Sequence, residues 1–170
     1  MKRVTSISPA TLPIVTPWGK FTARYSEKGL AVLEFPGQKT RVALKRGAVE
    51  RVPAVVQRWH RAAAAALQSI FAGRNPEQLP PLAPAGTPFQ KRVWKALRKI
   101  SPGKTKSYGA IAQAIGKPKA VRAVGGACGA NPIPVLIPCH RVLAANGKLG
   151  GFSGGLEWKR QLLAREGVKI

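Results

Sequence analysis

Acidic residues are scarce in this chain. Of its 170 residues only 6 are Asp or Glu, whereas 29 are Lys or Arg, and the formal net charge is +23. An excess of this size indicates a polyanionic partner, and nucleic acid is the first expectation; the alternative is a merely solvated basic surface. Residues 86–170 hold 16 basic and 2 acidic side chains, so the second half is the more basic one.

Metal-binding side chains and long apolar runs are also few. The thiols and imidazoles are Cys128, Cys139, His60 and His140, and the cysteines lack Cys-x-x-Cys spacing, which argues against a four-ligand zinc site. We therefore expect no metal and no cofactor. No run of about 18 apolar residues could span a membrane, and no signal-peptide apolar stretch follows Met1-Lys2-Arg3. These features predict a cytoplasmic protein without a membrane partner, whose thiols stay reduced.

A proline-rich segment at about 75–86 divides the chain, because neither helices nor central strands accept so many residues without an amide donor. We place a structural α/β domain at 1–85 and a second domain at 86–170. In the first, residues 14–35 read as short antiparallel strands separated by turns at 17–19 and 27–29. A helix over 53–72 follows, with apolar residues at helical spacing.

Three helices are predicted after the proline-rich segment. Thr87, Pro88 and Gln90 form a capping-box start for a helix whose apolar face reaches Ile100 and which stops at 101–103. The second helix covers 107–115, and the third covers 118–130 after a Gly-Lys-Pro turn, which is helix-turn-helix spacing. The third helix is rich in glycine and alanine. Tight packing against a neighbouring helix is one explanation of this composition.

Cys139 and His140 stand together at the end of an apolar run. A cysteine beside a proton acceptor is suited to nucleophilic attack as a thiolate, although buried cysteine is also a common packing residue. Neighbouring side chains on an extended backbone point to opposite faces, so His140 would need a bridging water or a bend at the prolines to act on the thiol.

The run Pro132-Ile133-Pro134-Val135-Leu136-Ile137-Pro138-Cys139-His140-Arg141-Val142 resembles the active-site signature of the O6-alkylguanine-DNA alkyltransferases. The similarity extends from about residue 87 to 167, through Ser107-Tyr108, residues 119–127, Asn131-Pro132 and residues 150–155. It implies an α+β fold. A small N-terminal ribonuclease H-like antiparallel sheet with a helix would precede a mainly helical C-terminal domain that contains a helix-turn-helix and the active-site cysteine.

The resemblance also implies roles for individual residues. Catalytic residues are Cys139, His140, Glu166, Asn131 and Tyr108; substrate-binding residues are Tyr108, Pro134, Val142 and Ser153; DNA-binding residues are Val121, Arg122, Ala123 and Gly125. In this scheme Glu166 orients His140, which acts through water on Cys139. The small-residue helix enters the minor groove, and Arg122 fills the space of a flipped nucleotide. Arg141 is expected to make a structural contact and Cys128 to be a packing residue.

The implied activity is stoichiometric DNA repair, in which Cys139 takes the alkyl group from O6-alkylguanine and keeps it. O4-alkylthymine is left open as a second substrate. The partner is double-stranded DNA, and the protein is expected to be a monomer, with cooperative assembly on DNA left open. Two alternatives remain: a noncatalytic alkyltransferase-like protein that binds lesions, and a cysteine hydrolase that uses Cys139, His140 and Glu166.

Overall fold

The computed structural model describes residues 9–38 and 52–170. A three-stranded antiparallel sheet comes first, formed by β1 (Ala10–Thr16), β2 (Gly19–Ser26) and β3 (Gly29–Glu34) in the order β1-β2-β3. Phe21, Ala23 and Tyr25 point alternately into the core along β2. The sheet begins earlier than the predicted residue 14, because the edge strand β1 tolerates Pro13. Met1-Lys2-Arg3, on which the signal-peptide prediction rested, lies outside the described residues.

Helix α1 (Ala54–Phe71) packs on this sheet through β1 and β3 and confirms the predicted first helix. Its buried positions recur at helical spacing and include Val56, Ala63, Leu67 and Ile70. The small sheet therefore obtains an apolar cover from one long amphipathic helix.

The proline-rich segment is bound to the sheet at one point. Leu30 on β3 donates its backbone N–H to the carbonyl of Pro81 and accepts from Ala83, both at 2.8 Å. Gly29 is required here, because its φ is +139° and a Cβ would lie 2.2 Å from the Pro81 oxygen. The segment thus lies along β3.

Three short helices follow: α2 (Pro88–Leu97), α3 (Tyr108–Ala114) and α4 (Val121–Gly129). The capping box of Thr87 and Gln90 is confirmed. Two boundaries differ from the sequence prediction. Helix α2 ends at Leu97, because tighter turns carry the chain on to Ile100. Helix α4 starts at Val121 instead of 118, because residues 117–120 form a turn closed by a hydrogen bond from Ala120 N to Lys117 O.

The last elements connect the two halves of the chain. Two-residue strands β4 (Lys106–Ser107) and β5 (Val142–Leu143) pair in parallel, and α5 (Leu156–Arg165) follows. An aromatic cluster joins α5 to the sheet and α1, with ring-centroid distances of 5.0–5.9 Å from Trp158 to Phe21, Phe35 and Phe71. None of the helices in the described ranges is long and apolar enough to cross a membrane.

Candidate active site

The segment between α4 and β5 is buried and sharply bent. Its backbone turns back at Ile133–Ile137, where Ile137 N donates to Ile133 O at 2.9 Å and Val135 adopts a positive φ of 73°. Residues Cys139–Arg141 then form a single 3-10 turn. Of the two routes considered for His140, a bridging water or a bend at the prolines, the bend is therefore present.

Cys139 is held by the side chain of Asn131. The Asn131 Nδ2 donates to the Cys139 Sγ at 3.1 Å and to the Ile137 carbonyl at 2.8 Å, while its Oδ1 accepts from Ile133 N at 3.0 Å. Asn131 and Cys139 are only 5% and 4% exposed. The sulfur is therefore fixed in place and receives a polar donor inside an otherwise apolar wall.

Burial sets the resting state of this thiol. It raises the pKa of Cys139 to about 11, against the opposing effects of the Asn131 hydrogen bond and the positive charge of Lys159. At neutral pH the free protein therefore carries a thiol at this position. The thiolate needed for attack must form when a base takes the proton.

His140, Arg141 and Glu166 form a buried polar cluster beside the thiol. His140 Nε2 lies 2.9 Å from Glu166 Oε1, and Arg141 donates from Nε and Nη2 to the same carboxylate at 2.8–3.1 Å. The Gly103 amide also donates to Glu166, at 3.2 Å. Arg141 thus makes the structural contact that was predicted, and it reaches the Ile100 carbonyl as well.

The charges of this cluster fix the tautomer of His140. Burial would raise the pKa of Glu166, but hydrogen bonds from His140 and Arg141 lower it to about 2, and Arg141 supplies a permanent cation. Burial lowers the pKa of His140. A neutral imidazole carries its proton on the nitrogen that faces a carboxylate, which in His140 is Nε2. Nδ1 is then an acceptor, and it is buried without a hydrogen-bond partner among the described residues.

Lys159 is a site residue that the sequence reasoning missed. It is 0% exposed, and its Nζ donates to the carbonyls of Val142 at 2.7 Å, Leu149 and Gly151. Burial lowers the pKa of Lys159. The signal was its position on α5, because Lys159, Leu162, Leu163 and Glu166 recur at i, i+3, i+4 and i+7 on the buried face.

The remaining residues that the resemblance assigns to substrate binding lie on several different segments of the chain. Tyr108 begins α3 half-buried, and a Cβ on Gly150 would lie 2.9 Å from its hydroxyl, so the phenol packs against the loop after β5. Pro134 and Val142 are buried. Ser153 is exposed, and its carbonyl accepts a hydrogen bond from Gln38 Nε2 at 3.1 Å. Hydrogen bonds therefore link Ser153 to the N-terminal half and not to Cys139 within the described part of the chain.

Helix α4 presents an open surface of small residues. Val121, Arg122 and Ala123 are exposed and Gly125 is half-buried. A Cβ built on Gly125, Gly126 or Gly129 would meet no atom within 4 Å in the described structure. Packing against a neighbouring helix therefore does not explain these glycines. The packed side of α4 faces α2, where Trp94 Nε1 donates to Ala127 O at 2.8 Å.

The other His, Cys, Asp and Glu side chains in the described part of the chain do not form a second cluster. Cys128 is buried on α4, as expected for a packing residue, and burial raises its pKa. In the ranges 9–38 and 52–170, no group of three His, Cys, Asp or Glu side chains could hold a metal ion.

A buried thiol next to a histidine that pairs with a carboxylate forms a candidate nucleophilic cysteine site, and comparison with known proteins shows the class to which the chain belongs. Residues 88–168 match the family described as 6-O-methylguanine DNA methyltransferase, DNA binding domain. A methylated-DNA–protein-cysteine methyltransferase of Methanosarcina acetivorans is 43% identical over 152 residues, which cover 89% of this chain and 94% of that protein. One of the same name from Mycobacterium bovis is 54% identical over 100 residues, or 59% of this chain and 61% of that one.

Solved structures agree with the sequence comparison. Mycobacterium tuberculosis OGT in complex with DNA has a TM-score of 0.75 and 42% identity, covering 91% of this chain and 90% of that one. A variant of the M. tuberculosis O6-methylguanine methyltransferase gives a TM-score of 0.78 and 40% identity, covering 94% of this chain and 93% of that one. The chain belongs to the methylated-DNA–protein-cysteine methyltransferase family, and the predicted resemblance is confirmed.

Proposed function

We propose that Cys139 takes the alkyl group from O6-alkylguanine in duplex DNA and keeps it, so that each chain repairs one lesion. The protein is a DNA-repair methyltransferase of the cysteine-accepting family described above. The observation that carries the assignment to Cys139 is its position: a buried thiol receives an amide hydrogen bond from Asn131 and precedes a histidine whose Nε2 is engaged by a carboxylate.

The transfer begins with loss of the thiol proton. His140 Nδ1 accepts it through a water, and the Glu166 carboxylate stabilises the imidazolium that forms. The sulfur then attacks the alkyl carbon. The S–C bond forms as the C–O6 bond breaks, and the electron pair of that bond passes to guanine, which takes up a proton as it leaves. The product is a thioether, which thiol exchange does not cleave, so the chain is consumed.

The flipped base is held by residues around the thiol. Tyr108 donates a proton or a hydrogen bond toward the leaving guanine, Pro134 and Val142 wall the pocket, and Ser153 contacts O6. The supporting observation is that Tyr108 packs on the loop at Gly150 that also carries Ser153. Flipping is required because a stacked guanine cannot reach a buried sulfur.

Helices α3 and α4 act as a helix-turn-helix whose second helix enters the minor groove. The open glycine surface of α4 supports this placement. No part of the described protein packs against these glycines, and the missing side chains leave room for the DNA backbone to approach the helix closely. Val121, Ala123 and Gly125 lie against the groove, and Arg122 fills the space left by the flipped nucleotide.

The chain divides into a structural domain at 1–85 and a domain for DNA binding and alkyl transfer at 86–170. The first domain supports the second, since Leu33 N on β3 donates to Pro132 O, next to Asn131, at 2.8 Å. We propose that the protein works as a monomer on chromosomal DNA inside the cell.

Intact-mass analysis tests the assignment. After incubation with a duplex that contains one O6-methylguanine, the wild type should gain one methyl group, located on Cys139 by peptide mapping. The Cys139→Ala variant should gain none, whereas Cys128→Ala, a matched control at the second buried thiol, should react as the wild type does. A methyl group on any other residue, or an unmodified folded wild type, would overturn the proposal.

A further inference from the structure

A basic surface lies on α2 and the turn that follows it. Lys91, Arg92, Lys95, Arg98 and Lys99 are all exposed. At 100° per residue Lys91, Arg92 and Lys95 occupy an arc of about 100° on the helix surface, and Arg98 and Lys99 follow in the next turn. The opposite side carries the buried residues Val93, Trp94 and Leu97. We call these five cations the α2 basic face.

The charge of this face is not balanced within the described structure. The four ion pairs found among the described residues do not include any of the five cations. Helix α2 itself contains no acid. Lys91 and Lys95 stand at i, i+4 spacing within α2, where like charges destabilise a helix. Such a face is unfavourable for the isolated chain and favourable against a polyanion.

The position of α2 relates the face to the proposed DNA-binding helix. The Trp94–Ala127 hydrogen bond joins α2 to α4 on the buried side of α2, and the basic face lies on the side that this contact leaves free. Helix α4 itself carries one cation, Arg122, among small residues. Phosphate neutralisation by Lys and Arg supplies most non-specific duplex affinity, so α4 alone offers little of it.

We propose that the α2 basic face binds the phosphates of duplex DNA as a second contact, separate from the groove site of α4. This inference rests on the DNA binding in the proposed function and adds a surface that contributes to the electrostatic affinity. The contacts are to phosphate only, so they carry no sequence preference. DNA is the favoured occupant because it is already the partner of the adjoining helix, whereas an acidic protein would have to compete with it.

Salt-dependent binding tests the inference. The variant Lys91→Gln/Arg92→Gln/Lys95→Gln removes three charges and leaves Arg98, the C-cap of α2, in place. The matched control Arg58→Gln/Arg61→Gln/Arg74→Gln removes three exposed charges elsewhere. For an undamaged duplex, each lost phosphate contact lowers the slope of log K against log salt by about 0.9. The α2 variant should therefore have a slope that is smaller by about 2.7 than the wild-type slope. When the salt concentration rises from 50 to 200 mM, the affinity of the wild type should fall by a factor about 40 times larger than the factor for the variant.

The outcomes separate this inference from competing explanations. An equal slope change in both variants would mean a general charge effect and would overturn the proposal, as would an unchanged slope in the α2 variant. Unchanged DNA binding with lost binding to polyglutamate would point to an acidic protein and also overturn it. If the triple variant does not fold, Lys95→Gln alone should lose about 0.9 of slope.

Labelling by free O6-benzylguanine reports on the alkyl-transfer site without DNA. It should be the same in the wild type and both variants. Its absence in the wild type would count against the proposed function and leave the slope comparison intact.

Discussion

Replacing Glu166 by glutamine keeps the size of the side chain and removes its charge. The carboxylate is 3% exposed and balances Arg141, which is 8% exposed. In Glu166→Gln the guanidinium stays buried without its anion, and breaking a buried pair in this way costs about 3–5 kcal/mol. We therefore expect the free energy of unfolding to fall by about that amount in urea titrations followed by tryptophan fluorescence.

The same helix offers a control. Glu157 is 71% exposed and lies 4.0 Å from Arg160, so Glu157→Gln should change the free energy of unfolding by no more than about 0.5 kcal/mol. If Glu166→Gln is as stable as Glu157→Gln, the buried cluster does not hold α5 against the Cys139–Arg141 turn, and the reasoning is refuted.

The pH dependence of this difference follows from the pKa of Glu166. Because the folded-state pKa is lowered from the ordinary 4.5 to about 2, the stabilisation is complete above pH 4.5 and is lost as the pH falls towards 2. The stability gap between the wild type and Glu166→Gln should therefore close within that window. A gap that stays constant down to pH 2 would contradict the ionised state assigned to Glu166.

Three further predictions concern other parts of the site. Lys159→Met removes the donor to three carbonyls, so it should lower the free energy of unfolding by about 2–4 kcal/mol. It should also slow O6-benzylguanine labelling, and unchanged labelling kinetics would show that the cation does not organise the site. Gly125→Ala should raise the free energy of unfolding by about 1 kcal/mol, because the new Cβ meets no atom within 4 Å and alanine favours helix. The same variant should bind duplex DNA more weakly in titrations, and an unaltered affinity would show that Gly125 does not lie in the interface. Alkylation of Cys139 by iodoacetamide should rise about tenfold per pH unit from pH 7 to 10, since burial raises the thiol pKa to about 11, and a plateau near pH 8 would contradict that state.

The helices and strands were largely predictable from local signals. Apolar spacing at 53–72 indicated α1, and the Thr87–Gln90 pair fixed the start of α2, because both signals act within a few residues. The boundaries of α2 and α4 were less accurate, since tight turns at Ile100 and Ala120 compete with helix at similar cost.

The contacts of the site were harder to predict from the sequence. Glu166 lies 26 residues beyond His140, and only resemblance to a family connected them before the structure placed them 2.9 Å apart. A bend at the prolines could be predicted, but its position at Val135 could not, because a β-branched residue rarely adopts a positive φ. Lys159 was overlooked because a lysine is normally exposed, and its buried position depends on carbonyls from two other segments.

Counting lesions repaired per chain tests the central claim most directly. With a duplex containing O6-methylguanine in large excess over the protein, we expect repair to stop when one lesion per chain has been removed, with every chain methylated on Cys139. Continued repair beyond one lesion per chain, with Cys139 recovered as a free thiol, would contradict this account.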